Sequence, residues 1–161
     1  MTTIEEAAPP RRTRSVWKGF LAGAIGGLVG AAAKAAGEAV YPPRTQGQIP
    51  PPAVLVNRMA GRTLTETEEE FSVQAIHWGF GALAGGVYGA LAEYQPAVTR
   101  RLGASFGLTL CGVTRASALP MMGLTERPGD QPAREHASEL LTHVIYGVTT
   151  ELTRRLARKA L

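Results

Sequence analysis

The chain has 161 residues, of which 45% are hydrophobic and 19% charged, and its net charge is +4. Its basic residues lie beside apolar blocks and are not interleaved with aromatic side chains, which argues against a nucleic-acid-binding surface. The single cysteine, Cys111, excludes an intrachain disulfide and a cysteine-based metal centre. Apolar and charged residues occupy separate blocks, a pattern typical of membrane proteins.

The first predicted element follows a basic arm formed by residues 1–15. An apolar block at residues 16–40 is long enough to cross a hydrocarbon core of ~30 Å as a helix. Tyr41 and the two prolines after it predict its end. A secretory signal peptide is the alternative interpretation, because small residues follow a basic arm here. The three apolar blocks further along the chain favour a membrane protein.

A proline-rich loop, residues 41–71, is predicted next, with a short amphipathic piece near residues 54–60. Thr65 is placed to cap a helical turn ahead of Glu68. The second apolar block then covers residues 72–93.

The third block, residues 102–119, is predicted to stop at Pro120. The fourth block, residues 137–156, is the least hydrophobic of the four. Together the blocks predict an all-α fold, an integral membrane bundle of four transmembrane helices in one domain at residues 16–158.

Charge placement predicts the orientation of the bundle. With both termini in the cytoplasm, the cytoplasmic segments hold ten basic residues, and the two outer loops hold five beside seven acidic residues. This bias follows the positive-inside rule. The ten basic residues are Arg11, Arg12, Arg14, Lys18, Arg100, Arg101, Arg154, Arg155, Arg158 and Lys159.

Glycines recur at four-residue spacing and so share one helix face in several blocks. Close backbone approach at such faces holds helices together in lipid, and we expect glycine-mediated packing here. A pore-lining glycine stripe is the alternative interpretation. The glycines are Gly19, Gly23 and Gly27, an offset pair Gly26 and Gly30, then Gly81, Gly85 and Gly89, and finally Gly103 and Gly107.

Six ionisable residues within the predicted spans all fall toward the outer interface. They are expected either to pair and tie the helices together, or to form an outward-facing titratable pocket, or to snorkel separately. Near the inner ends, Glu93 and Glu151 are expected to be interfacial partners of arginines. The six residues of this predicted polar cluster are Lys34, Glu38, His77, Arg115, Glu139 and His143.

No enzyme motif is present: the sequence lacks HExxH, a nucleophile elbow, a phosphate loop and a dinucleotide fingerprint. His136, Glu139 and His143 share a helix face, but this set is too small to predict a metal site. We therefore predict a protein with no enzymatic activity, no cofactor and no metal.

Several segments spread over all four blocks together resemble one known family. The most specific segments contain Pro42, Pro43 and Arg44, and Pro120 through Thr125 with Gly123. Others contain Lys34, Gly37 and Glu38, then His77, Trp78, Tyr88 and Glu93, and finally Ser138, Glu139, His143, Glu151, Arg154 and Arg155. These segments resemble the YagU-type family of uncharacterised bacterial inner-membrane proteins. The resemblance implies an inner-membrane location and four helices, and it supplies no biochemistry. Arg115 departs from it, because a histidine is expected nearby.

These features predict a small accessory or envelope-stress protein of the bacterial inner membrane. An oligomeric transporter or ion-conducting protein that uses the polar cluster is the second hypothesis, and a soluble or peripheral helical protein is the third. The expected partner is the lipid bilayer, and no nucleic-acid partner is expected. Self-association and assembly into a larger membrane complex are both possible arrangements. The sequence identifies no ligand.

Overall fold

The computed structural model describes residues 13–45 and 47–161, and within these ranges every regular element is helical. The predicted all-α class is therefore confirmed for the described chain. Arg11 and Arg12, with most of the predicted arm at residues 1–15, lie outside the described residues.

Helices cover all four predicted spans, although only the first has the predicted bounds. Helices α1 and α3 pack side by side, α6 packs against α1, α4 packs on α6, and α2 lies on α3. The helices are α1 Val16–Val40, α2 Pro51–Ala60, α3 Glu66–Ala92, α4 Ala104–Val113, α5 Leu119–Met121 and α6 Ala133–Ala160.

Helix α1 is the only described helix long and apolar enough to cross a membrane, with a mean hydropathy of 1.4. It lies near the N-terminus, and a buried core helix or a signal sequence has the same properties. By composition alone, α1 is thus weak evidence of membrane association. The other described helices do not meet this criterion for a membrane span, because they are short or contain polar residues, such as Glu139 and Glu151 within α6.

Helix α3 begins at Glu66, six residues before the predicted start of the second span. The Thr65 hydroxyl accepts a hydrogen bond from the Glu68 amide, and the Glu68 carboxylate accepts one from the Thr65 amide. This capping box satisfies two amides at the helix start and confirms the predicted cap. The apolar pattern alone predicts a start that is too late in the sequence, because the first turn of α3 is acidic and exposed.

The third span differs from prediction at both ends. Arg101, Leu102 and Gly103 have left-handed φ angles of 54°, 54° and 82°, so α4 begins only after them. Pro120 does not stop the helix, which continues to Met121. A π-helical turn at Thr114–Ala118 comes directly before Pro120. This wider turn changes the backbone hydrogen-bond pattern at the position where proline has no N–H to donate.

Close backbone contacts join α1 to its neighbours at glycines. A Cβ added at Gly19 would lie 2.6 Å from the carbonyl oxygen of Gly89, and one added at Gly85 would lie 2.6 Å from the Cα of Gly27. The offset row of α1 faces α6 instead, where a Cβ on Gly26 would lie 2.5 Å from the Thr150 carbonyl oxygen. Any side chain at these positions would force the helices apart.

The interior of this bundle is polar and much of its outer surface is apolar. The largest fully buried side chains are Glu135, Glu151, Thr142, Thr150 and Ser138. Large apolar side chains are exposed on several helices, which inverts the usual distribution in a soluble protein. They include Ile25, Leu28 and Val29 of α1, Phe80, Leu83, Val87 and Leu91 of α3, Leu108 and Val113 of α4, and Leu140, Leu141 and Leu152 of α6.

Candidate functional site

One face of α6 supplies most of the buried polar side chains. Ser138, Glu139, Thr142 and His143 lie within two turns on this face, because three- and four-residue spacings align side chains along a helix. The contacts of Glu139 define a first group of residues, here called the Glu139 cluster: Arg44, Arg115, Glu139 and His143.

Arg115 is the closest partner of the Glu139 carboxylate, with 2.7 Å between Nη2 and Oε1. Arg44 approaches the same oxygen at 3.7 Å, from the loop after α1. His143 Nδ1 lies 2.7 Å from the Glu139 carbonyl oxygen and 3.6 Å from the carboxylate. Because Glu139 is only 5% exposed, these partners offset the cost of removing its charge from solvent.

The predicted polar cluster is therefore only partly assembled by direct contacts. Lys34 and Glu38 pair with each other, one turn apart on α1. His77 is not joined to the other five by a hydrogen bond or ion pair among the described residues. Its ring packs edge-on against Trp78, and its Nε2 is buried without a hydrogen-bond partner.

The segment after α1, residues 41–45, is fastened to the start of α6, and we call it the exit loop. Ser138 donates a hydrogen bond to the Tyr41 carbonyl oxygen, and Arg134 lies 4.6 Å from the centroid of the Tyr41 ring. Glu135 accepts bonds from the Thr45 amide and hydroxyl at 2.7 and 2.5 Å. These bonds lower the pKa of the Glu135 carboxyl.

The predicted Pro42–Pro43–Arg44 motif makes up most of this exit loop. The Pro42 carbonyl oxygen accepts a 3.3 Å bond from Arg134, and Pro43 is buried. Arg44 extends to the Glu139 cluster. The motif thus links α1 to α6, a contact between residues about ninety positions apart that helical spacing does not predict.

Pro120 and Gly123 take part in a helix-ending structure. The Gly123 amide bonds to the Pro120 carbonyl oxygen, and the Leu124 amide bonds to that of Leu119, as in a Schellman motif. Gly123 has a φ of 66°, which explains the glycine. Arg58 of α2 donates to the Met122 and Gly123 carbonyl oxygens at 2.8 and 3.3 Å.

A cavity of about 180 Å³ borders the Glu139 cluster. Its polar lining comes from Arg115, Gln131, His136 and Glu139, and Leu108, Cys111 and Leu140 are among the apolar lining residues. In the part of the chain that the structure describes, no group of three metal-ligating side chains is found. The cavity therefore offers a small space beside a buried ion pair.

A second buried group surrounds Glu151, whose side chain is completely buried. Its carboxylate accepts bonds from Tyr88 at 2.8 Å, from Arg154 at 2.7 and 2.9 Å, and from Arg155 at 2.6 Å. The expected arginine partners are confirmed, and the Glu151 carboxylate that they contact is enclosed by the bundle. Spacings of three and four residues on α6 indicated the arginines, but nothing local indicated Tyr88.

Glu93, the other inner carboxylate, pairs with Arg158 at 2.7 Å and accepts a 3.0 Å bond from the Ser15 amide. The Glu93 pairing raises the pKa of Arg158. Arg158 also donates to the Thr13 carbonyl oxygen. This small network joins the end of α3 to the start of α1 and the end of α6.

The fold and these sites define an all-helical protein with a polar interior built from buried ion pairs. The chain belongs to the DUF1440 family, described as proteins of unknown function, whose model matches residues 28–152. That match includes the exit loop, the Glu139 cluster, Tyr88 and Glu151. Searches of curated proteins and of solved structures found no match.

Proposed function

We propose that this chain is a non-enzymatic, multi-pass protein of the bacterial inner membrane with four spans and both termini in the cytoplasm. The observation that carries the proposal is the inverted burial, with Glu135 and Glu151 inside the bundle and leucines such as Leu83 and Leu152 outside. In lipid, polar groups face the bundle interior and apolar groups face the acyl chains. Within the family, we group the chain with the YagU-type proteins.

In this proposal the Glu139 cluster faces outward and serves as a structural or pH-responsive element of an accessory or envelope-stress protein. The ion pairs that Glu139 forms with Arg115 and Arg44 support this role. The cluster also connects the π-helical turn after α4, the exit loop and α6. Self-association through the apolar faces, or assembly into a larger membrane complex, fits the same arrangement.

An oligomeric ion- or proton-conducting protein is the second candidate. The cavity lined by Arg115, Glu139 and His136 favours it, because a conduction path requires space beside titratable groups. Proteoliposomes that show no proton or ion flux between pH 5 and pH 8 would exclude this candidate and leave the accessory role standing.

Cysteine labelling in intact cells tests the proposed topology. Single cysteines replace the exposed residues Ile49, Gln95 and Gly129 in a Cys111→Ser background. We expect a membrane-impermeant maleimide to label positions 49 and 129 but not 95 until the membrane is permeabilised. Labelling of Gln95→Cys in intact cells would contradict the orientation. Recovery of the protein in the soluble fraction without detergent would contradict the membrane location.

A further inference from the structure

The end of the bundle opposite the exit loop is one assembled surface. The start of α1 and the ends of α3 and α6 meet there, because Glu93 accepts bonds from both Ser15 and Arg158. The start of α4 joins them, since a Cβ on Gly103 would lie 2.8 Å from the Glu151 Cβ. Residues near these four helix ends therefore share one rim.

Positive charge on this rim is far from balanced. The acidic side chains that the structure describes here are Glu93 and Glu151, and arginines of α6 already pair with both. Lys18 donates a 2.6 Å bond to a main-chain oxygen of Leu161, part of the α-carboxyl group of that residue, and is therefore not counted among the unpaired cations. The basic rim, as we name it, consists of four exposed residues with no acidic partner among the described ones: Arg14, Arg100, Arg101 and Lys159.

Large apolar side chains stand between these cations. Trp17 is 65% exposed, Leu102 48% and Leu156 66%. Trp17 stacks on Phe20 with 5.9 Å between ring centroids, and it is adjacent in sequence to Lys18. Tryptophan beside lysine and arginine is typical of the boundary between headgroups and acyl chains.

We propose that the basic rim binds the phosphate-bearing headgroups of anionic phospholipids, with Trp17, Leu102 and Leu156 against the upper acyl chains. Charge complementarity favours an anionic partner, because the four exposed cations of the basic rim have no acidic partner among the described residues. The apolar side chains between them favour a lipid over a soluble polyanion, which would leave them in water. This inference rests on the proposed membrane location and adds a ligand class to it.

The fluorescence of Trp17 provides a direct test. The full chain with Trp78→Phe retains Trp17 as its single tryptophan. It is reconstituted into phosphatidylcholine vesicles that carry the same fraction of brominated phosphatidylglycerol or brominated phosphatidylcholine. We expect the anionic lipid to quench Trp17 more strongly, with a relative affinity about fivefold or more above that of the zwitterionic lipid.

A matched pair of variants then assigns the preference to the rim. Arg100→Gln with Arg101→Gln is expected to remove most of it, whereas Arg62→Gln with Arg127→Gln, at the opposite end, is expected to leave it unchanged. Equal quenching by the two lipids, or a preference that survives the rim substitutions, would overturn the inference while the membrane location stands.

Absence of quenching by either lipid would overturn the location itself. A lipid preference abolished by a nanomolar oligonucleotide would identify a nucleic-acid surface instead and overturn the lipid assignment.

Discussion

The hydroxyl group of Tyr88 donates a 2.8 Å hydrogen bond to the completely buried carboxylate of Glu151, joining α3 to α6 across 63 positions of sequence. Arg154 pairs with the same carboxylate and lies 6.0 Å from the centroid of the Tyr88 ring. The phenol thus helps to hold a buried ion pair in place. Around it, Phe106 stacks on Tyr88 with ring centroids 4.2 Å apart.

Removal of either partner should destabilise the bundle, but to different extents. Glu151→Ala leaves the Arg154 guanidinium buried without its counter-ion, which is expected to cost about 3–5 kcal/mol. Tyr88→Phe removes one bond to a charged acceptor and is expected to cost about 1.5–3 kcal/mol. Both are measured by SDS titration of the protein in mixed micelles.

The double variant and a surface control make this test specific. Because the Tyr88 bond has no acceptor once Glu151 is lost, the two costs should not add in Glu151→Ala with Tyr88→Phe. Tyr94→Phe, at an exposed position, should unfold like the parent. Strictly additive costs would show that the hydrogen bond contributes nothing.

Substitution of a glycine at the contact between α1 and α3 should weaken the packing of the two helices. Gly85→Ala places a methyl group against the α1 backbone at Gly27, and we expect a loss of about 1–3 kcal/mol. Gly79→Ala, on the same helix with open space around it, should gain up to about 1 kcal/mol through helix propensity. Thermal unfolding in detergent compares the two, and equal melting temperatures would contradict the observed contact.

Neutralising Glu139 should lower stability by leaving Arg115 without its partner. Glu139→Gln is expected to cost about 1–3 kcal/mol in detergent, because the unpaired guanidinium is only 13% exposed. Arg115→Gln in the same chain should restore part of the loss by removing the buried charge. If Glu139→Gln melts like the parent, the Glu139 cluster has no structural role.

The bonds between Glu135 and the exit loop should make stability depend on pH. The pKa of Glu135 is lowered in the folded protein, so its contribution is complete above the unfolded pKa of about 4.3. It is lost as the pH falls below that value through the lower folded pKa. Chemical unfolding between pH 6 and pH 3 should show this decline.

Two variants isolate the Glu135 contribution. Glu135→Gln, which does not titrate, should show a shallower decline over that range. Thr45→Val removes one hydroxyl donor and should cost about 1 kcal/mol at pH 6. A Glu135→Gln profile parallel to that of the parent would rule out Glu135 as the titrating group.

The sequence by itself determined the helical class, the bounds of α1 and the cap at Thr65. Each depends on interactions within a few residues: the apolar run ends at Tyr41 before two prolines, and the Thr65 hydroxyl reaches an amide three positions away. It also indicated pairs one turn apart, such as Lys34 with Glu38. Periodicity places such residues on one face whatever the rest of the chain does.

Only the tertiary structure decided which distant groups meet. Helical periodicity does not fix how one helix is rotated against another, so it does not reveal that Arg44 contacts Glu139, that Thr45 bonds Glu135, or that Tyr88 reaches Glu151. Glu151 is fully buried because α1, α3 and α4 close around α6, and the relative placement of packed helices arises only in the folded bundle.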